Sequence, residues 1–199
     1  MRSLPRSILL LIPLTLLAPA GGSEAAPAPA ADIYTTLPAD LAGLRQEFNA
    51  GVGKVRLLYI VGASCPVCLR GMDDLGRALA PEQDDPRLQT LVVYVPELHA
   101  GAADIAPTVS LLPGKQVSRY WDPAGASEKA FESMLKTPGP AWDVYMVYGP
   151  GQRWDGAAPP QPDFWMAQLG GIPSERYLDA DEFAKQVQSR LASVKAGGA

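Results

Sequence analysis

Cys65 and Cys68 are the only cysteines in the 199-residue chain, and they share the stretch Val-Gly-Ala-Ser-Cys-Pro-Val-Cys-Leu-Arg-Gly, residues 61–71. Two cysteines separated by two residues can exchange disulfides, hold a soft metal or form a structural staple. A staple stabilises mainly by restraining a long loop of the unfolded chain, and a bridge across two residues restrains very little. That leaves the staple as the weakest reading. A closed zinc site takes four ligands, and the chain adds only one histidine, His99, to its two thiols. A closed zinc site within one chain is therefore not built. Copper(I) or mercury(II) held by Cys65 and Cys68 alone stands as the alternative to exchange chemistry, because soft thiolates suit soft metals. No resident cofactor is expected.

Exchange needs one sulfur favoured as a thiolate and a second within bonding reach. The surrounding sequence supplies the means. Val55 to Val61 is a continuous apolar run that reads as a buried strand. Leu69, Met72, Leu75 and Leu79 then recur at helical spacing up to Pro81. Between them, Gly62-Ala63-Ser64 carries the chain over the sheet edge. Cys65 falls at the N-cap and Pro66 at the first helical position, where a missing N–H costs nothing. An N-cap sulfur faces unpaired amides and the positive end of the helix dipole, and both favour the thiolate. On this reading Cys65 is the exposed nucleophile. Cys68, one turn on, resolves the mixed disulfide, while Ser64, Pro66 and Val67 shape the helix start.

The flanking pattern must supply a sheet and its cover. Leu37, Leu41, Leu44 and Phe48 predict an amphipathic helix over about 38–49. Leu91 to Val95 is a second buried strand, and Gln116 to Trp121 alternates as a strand. Residues 100–114 hold a short helix or only a loop. Asp122-Pro123-Ala124-Gly125 is a turn, with a helix starting near Ser127 as N-cap. Val144 to Tyr148 is a further strand, turned by Gly149-Pro150-Gly151 into a short hairpin with Arg153-Trp154. Phe164-Trp165-Met166 reads as a hydrophobic flap packed on the sheet. The last helix starts with a capping box of Asp179 and Glu182. It buries Phe183, Val187, Leu191 and Val194 and ends at Gly197. Strands alternating with helices imply an α/β fold, a mixed sheet covered on both faces.

The first twenty residues read as an export signal. Arg2 and Arg6 precede a short apolar run, Ile8 to Leu17, and Ala18-Pro19-Ala20 offers small residues for cleavage. The run is shorter than the roughly 20 residues that span a bilayer, so no stable membrane insertion is expected. Residues 21–36, rich in Ala and Pro, form an expected disordered tether, and 37–199 a single domain. Cleavage after Ala20 removes two arginines and no acid, moving the net charge from −4 to −6. An acidic surface argues against nucleic acid as a partner. Export to the periplasm or the outside is also the setting in which disulfides persist.

Strand, Cys-Pro-Val-Cys, amphipathic helix and second strand together resemble the thioredoxin superfamily. Trp121 to Gly125, a helix, then Val144 to Gly151 resemble its exported redoxin-type members. The resemblance covers residues 38–195 in layout and 54–80 closely. It implies a thioredoxin-like mixed sheet flanked by helices on both faces. It also implies thiol–disulfide exchange with protein thiols or disulfides, including those of a redox partner protein, with Cys65 and Cys68 as the reactive pair. The chain departs from the family at three places. Ser64 stands where an aromatic residue is common. Tyr59 stands where many members bury an acid that moves protons during exchange. The proline that members place beside the cysteines has three candidate positions here: Pro107, Pro140, or Asp143 with no proline at all. The layout favours the region 140–143.

Overall fold

The computed structural model describes residues 33–194. The expected export signal, most of the expected tether and the expected helix stop at Gly197 lie outside these residues. The element order is β1 (Thr35–Thr36), α1 (Ala42–Ala50), β2 (Val55–Gly62), α2 (Pro66–Ala78), β3 (Leu88–Val95), β4 (Val117–Trp121), α3 (Ala126–Leu135), β5 (Val144–Tyr148), β6 (Phe164–Ala167) and α4 (Ala180–Ser193). Short 3-10 turns fill residues 97–111 between β3 and β4. No described helix is long and apolar enough to cross a membrane.

One six-stranded sheet runs in the order β1-β4-β3-β2-β5-β6. The first four strands are parallel to one another, and β5 and β6 are antiparallel additions at the other edge. The β2-α2-β3 unit followed by the β5–β6 hairpin and α4, in sheet order β3-β2-β5-β6, makes this a thioredoxin-like fold. Strands β4 and β1 widen it. The small edge strand takes Thr35 and Thr36, the end of the stretch expected as tether, into the sheet beside Tyr120 and Trp121.

Central strands buried on both faces read as unbroken apolar runs, and β2 and β3 bury every residue. Their side chains alternate between two cores. Leu57, Tyr59, Val61, Val92 and Tyr94 face α2 and α4, where Met72, Leu75, Phe183, Val187 and Leu191 meet them. Leu58, Ile60, Leu91, Val93 and Val95 face the other way, onto Leu44 and Phe48 of α1 and Phe131 and Leu135 of α3. Both cysteines belong to the first face.

Four local expectations need correction. Helix α1 starts at Ala42 rather than near 38, because Leu41 adopts a left-handed conformation (φ 56°) and the Asp40 carboxylate accepts the Ala42 N–H. The N-cap of α3 is Gly125. Ser127 lies inside the helix, and its N–H and hydroxyl both donate to the Asp122 carboxylate, at 2.7 and 2.6 Å. Arg153-Trp154 is not the partner of β5; that place belongs to Phe164–Ala167, the supposed flap. Trp154 instead plugs the second core, edge-on to Phe48 and Phe131. The capping box of α4 is half formed: Asp179 accepts from the Glu182 N–H at 2.9 Å.

Candidate active site

The pair Ile60–Val144 in the antiparallel β2–β5 register brings the start of β5 beside the end of β2. The chain leaving β2 becomes the cysteine motif, and the residue entering β5 is Asp143. Topology thus delivers a carboxylate to two thiols 75 residues or more away in sequence.

The helix start forms as its residue types dictate. Cys65 is the N-cap of α2 in an extended conformation, and Pro66 opens the helix. The Cys65 carbonyl accepts the Leu69 N–H at 2.9 Å. The Cys65 sulfur accepts the Cys68 N–H at 3.2 Å, satisfying an amide that the helix leaves unpaired. The two thiols are unbonded. Ser64 donates its hydroxyl to the Leu98 carbonyl at 3.2 Å. Val67 is exposed.

Cys65 is not the exposed group that its position suggests: it is 2 % exposed, and Cys68 is fully buried. The turn after β3 packs against the motif. Ser64 ties to Leu98 of that turn, Ala100 joins the cluster that holds Cys65, and a Cβ at Gly62 would meet both Cys65 at 3.2 Å and Glu97 at 3.6 Å. Leu98 and His99 both adopt left-handed conformations, at φ 54° and 63°. For non-glycine residues this costs roughly 1–2 kcal/mol each. The turn is therefore a strained strap, with Leu98 and His99 exposed at its tip.

Asp143 is buried, and at φ 56° it too is left-handed. Its Oδ1 accepts the Tyr145 hydroxyl at 2.7 Å and, with the Gln168 amide oriented so that its nitrogen faces the two acceptors around it, that amide at 3.1 Å. The same amide donates to the Val67 carbonyl at 3.1 Å, and the same hydroxyl lies 3.2 Å from the Cys68 carbonyl. A carboxylate oxygen of Asp143 and the sulfurs of Cys65 and Cys68 all lie within 4.8 Å of one another. Burial pushes the Asp143 carboxyl up from its ordinary value, and hydrogen bonds from Tyr145 and Cys68 work against that. Burial, then the Asp143 charge, pushes the Cys68 thiol far up. The Asp143 charge thus favours the protonated Cys68 thiol, and that thiol in turn donates toward the carboxylate. Tyr59, at the place of the missing acid, is fully buried, and burial raises its hydroxyl well above the ordinary tyrosine range.

Pro107 and Pro140 are exposed, and no described peptide bond is cis. Of the three candidate positions, the structure brings Asp143 to the cysteines. His99 stays on the strap's exposed tip, and Asp104 caps its own turn by accepting the Gly101 N–H. Asp73 and Asp74 lie on the solvated face of α2 and pair with Arg77. The two sulfurs and the carboxylate are the one group of three such donors among the described residues. A hard carboxylate oxygen adds little for copper(I) or mercury(II), so the third member of the cluster suits a proton better than a soft cation.

Tyr145 and Gln168 are absent from the sequence reading. Tyr145 had only its nearness as a signal: it is the second residue of β5, two beyond Asp143, which precedes the strand. Gln168 had none until β6 was paired correctly, since it follows Ala167, the partner of Val144.

Gly71 allows α2 to approach this network. A Cβ there would stand 2.5 Å from both the Tyr145 hydroxyl and the end of the Gln168 amide. Gly71→Ala is expected to lower stability by about 1–3 kcal/mol through overpacking and to slow exchange as well. Urea denaturation beside an activity assay checks both, and an unchanged variant would contradict the close approach.

A second buried acid flanks the strap. Glu128 of α3 is 5 % exposed, and its Oε1 has no hydrogen-bond partner. Burial first, then the nearby charges of Glu97 and Asp122, raises its carboxyl well above the ordinary value of 4.5. A raised acid binds its proton more tightly in the folded state, so stability falls as pH rises from about 4.5 toward the raised value. Glu128→Gln is expected to flatten this decline in urea midpoints measured across pH. A decline of equal slope in the variant would contradict the assignment.

No family model and no curated protein matches the chain. Solved structures similar to it include a secreted Mycobacterium tuberculosis disulfide oxidoreductase homologous to E. coli DsbE. That match has 16% identity and a TM-score of 0.46, over 70% of this chain and 84% of that one. A thioredoxin-family thiol:disulfide interchange protein from Chlorobium tepidum gives 12% identity and a TM-score of 0.47, over 71% and 83%. An exposed lipoprotein thioredoxin from Streptococcus pneumoniae gives 16% and 0.43, over 70% and 87%. The assignment of a thioredoxin-like fold rests on the chain's own strand order, helix placement and N-cap cysteine.

Proposed function

We propose that the protein is an exported thiol–disulfide oxidoreductase that exchanges disulfides with protein partners through Cys65 and Cys68. The observation that carries this is the N-cap sulfur of Cys65 accepting the Cys68 N–H at 3.2 Å, with the second sulfur within 4.8 Å. Such a pair supports a two-step cycle. The Cys65 thiolate attacks a partner disulfide, and a mixed disulfide forms. Cys68 then attacks Cys65, the partner leaves reduced, and the Cys65–Cys68 bond closes. The reverse sequence donates the bridge, and the reduction potential sets the direction.

The strap must move for a partner to reach Cys65. Relief of the two left-handed residues favours that movement, and the Ser64–Leu98 hydrogen bond is the contact it must break. Val67, two residues after Cys65, and Leu98, tied through its carbonyl to Ser64, are large, apolar and exposed and offer a contact surface to a partner segment. Export is proposed from the basic and apolar start of the chain and from the persistence of disulfides outside the cytoplasm.

Burial of both sulfurs favours a second reading, in which the fold is a protein-interaction module with a passive cysteine pair. Incubating the protein with insulin and dithiothreitol separates the two. Faster insulin precipitation than dithiothreitol alone produces supports exchange. An uncatalysed rate, together with slow alkylation of the reduced protein even at high pH, supports the passive module.

A further inference from the structure

We propose that Asp143 is the general base of the resolving step, its carboxylate taking the Cys68 proton as the Cys68 sulfur attacks Cys65. The inference rests on the exchange reading above. A buried thiol is a poor nucleophile until its proton has somewhere to go. Water does not reach Cys68, which is fully buried. Tyr59, on the strand leading into the motif, offers a hydroxyl with no hydrogen-bond partner and no carboxylate.

Asp143 meets the geometric requirement from the residue just before β5. Its carboxylate lies within 4.8 Å of both sulfurs. One oxygen is fixed by Tyr145 and Gln168, and the backbone is pinned by the Gln168 N–H donating to the Asp143 carbonyl at 3.0 Å. Aspartate is among the non-glycine residues that adopt the left-handed conformation most readily, and at Asp143 (φ 56°) the surrounding network holds it there. The groups facing the carboxylate are Cys65 at the N-cap and Cys68 in the first turn of α2, Tyr145 of β5 with Tyr59 of β2 behind it, and the uncharged Gln168.

The step balances. Before it, Cys65 is bonded to the partner sulfur, Cys68 carries a proton and Asp143 is ionised. The Cys68–Cys65 bond forms, the Cys65–partner bond breaks, and the proton moves to Asp143 while the partner leaves as a thiolate. One negative charge enters and one leaves. The partner thiolate then takes the proton from Asp143. The partner sulfur and Cys68 exchange reduced for oxidised states, and no other reactant is needed.

The probe is 2,2′-dithiodipyridine, an uncharged disulfide that frees one chromophoric thiopyridone when Cys65 attacks and a second when Cys68 resolves the adduct. The reduced wild type is expected to release two equivalents in two phases, the second rising with pH as Asp143 ionises. Asp143→Asn, which keeps the side-chain shape, is expected to leave the first release nearly unchanged. It should slow the second by about 100-fold or more, the usual reach of general base catalysis, and remove its pH step. Tyr145→Phe guards against misfolding of that variant. It keeps the carboxylate but removes a hydrogen bond that holds the carboxyl down, so the midpoint of the second release should move to higher pH. An unaltered second release in Asp143→Asn, equal slowing of both phases, or an unmoved midpoint in Tyr145→Phe each overturns the proposal. Absence of the first release in the wild type sinks the exchange reading itself, and this proposal with it.

Discussion

Cys65→Ser reduces the acceleration of insulin reduction to the uncatalysed rate. The replacement oxygen fits the N-cap as well as sulfur does, since serine is among the best N-cap residues. The helix start, the Pro66 turn and the Cys68 N–H all keep their roles. What is lost is the only atom at the helix tip that can form a disulfide with a partner. The variant is therefore expected to fold with normal stability and show no activity. Cys68 cannot stand in for it, being fully buried and held protonated by burial and by the Asp143 charge. Activity surviving in Cys65→Ser would assign the nucleophile elsewhere and refute the two-step cycle. The assay is turbidimetric, run beside a urea denaturation curve that confirms folding.

Phe48→Ala should show the opposite profile, with a large loss of stability and an unchanged exchange rate per folded molecule. Phe48 is fully buried on the sheet face away from the cysteines. Its ring meets Tyr148 edge-on at 4.9 Å and Trp154 at 6.0 Å. It also lies beneath the buried Arg56 guanidinium, 4.3 Å from the ring centroid. That guanidinium donates to the Phe48 and Gly149 carbonyls at 3.0 and 2.6 Å. Truncating a buried phenylalanine costs about 3–5 kcal/mol, and the uncovered cation adds to that through the lost ring contact. A domain of this size has about 5–15 kcal/mol in total, so the variant stands near the edge of folding. Chemical denaturation measures the loss. A cost below about 1 kcal/mol would show that the site can collapse around the gap, against the expectation for so dense an aromatic contact. A changed exchange rate at equal folded concentration would show that the two cores are coupled.

The two cores differ in how plainly the sequence displays them. Val55 to Val61 and Leu91 to Val95 are unbroken apolar runs, and a strand buried on both faces can hardly be written otherwise. The helix after the cysteines announces itself through Pro66 and the spacing of Met72, Leu75 and Leu79. Strand β6 does not. Four residues are too few for a period, and Gly149-Pro150-Gly151 points to an immediate return through Arg153-Trp154. The chain in fact runs out to Pro162 before returning as Phe164–Ala167. That mispairing is what hid Gln168. At Ser127, a good capping type lost to Asp122, whose carboxylate reaches forward five residues and fills the role from the turn. Tertiary placement settles such contests, and local pattern does not report it.

The site divides in the same way. The N-cap role of Cys65 follows from a strand before, a helix after and a proline between. Its coverage by the 96–100 turn depends on a contact between segments more than 30 residues apart, which no local signal encodes. Asp143 emerged from the sequence only as one of three competing positions. The antiparallel register of β2 and β5 settles where it lies, because the start of one strand must then meet the end of the other.

The most direct test of the account is chemical trapping in Cys68→Ser. With the resolving sulfur removed, a native-state reaction with a protein disulfide must stop at the mixed disulfide. The account predicts one stable covalent adduct per molecule, mapped by peptide mass spectrometry to Cys65, formed without denaturant and released by dithiothreitol. An intact chain that stays unmodified while folded, and reacts only once unfolded, would contradict it and leave Cys65 a buried structural residue.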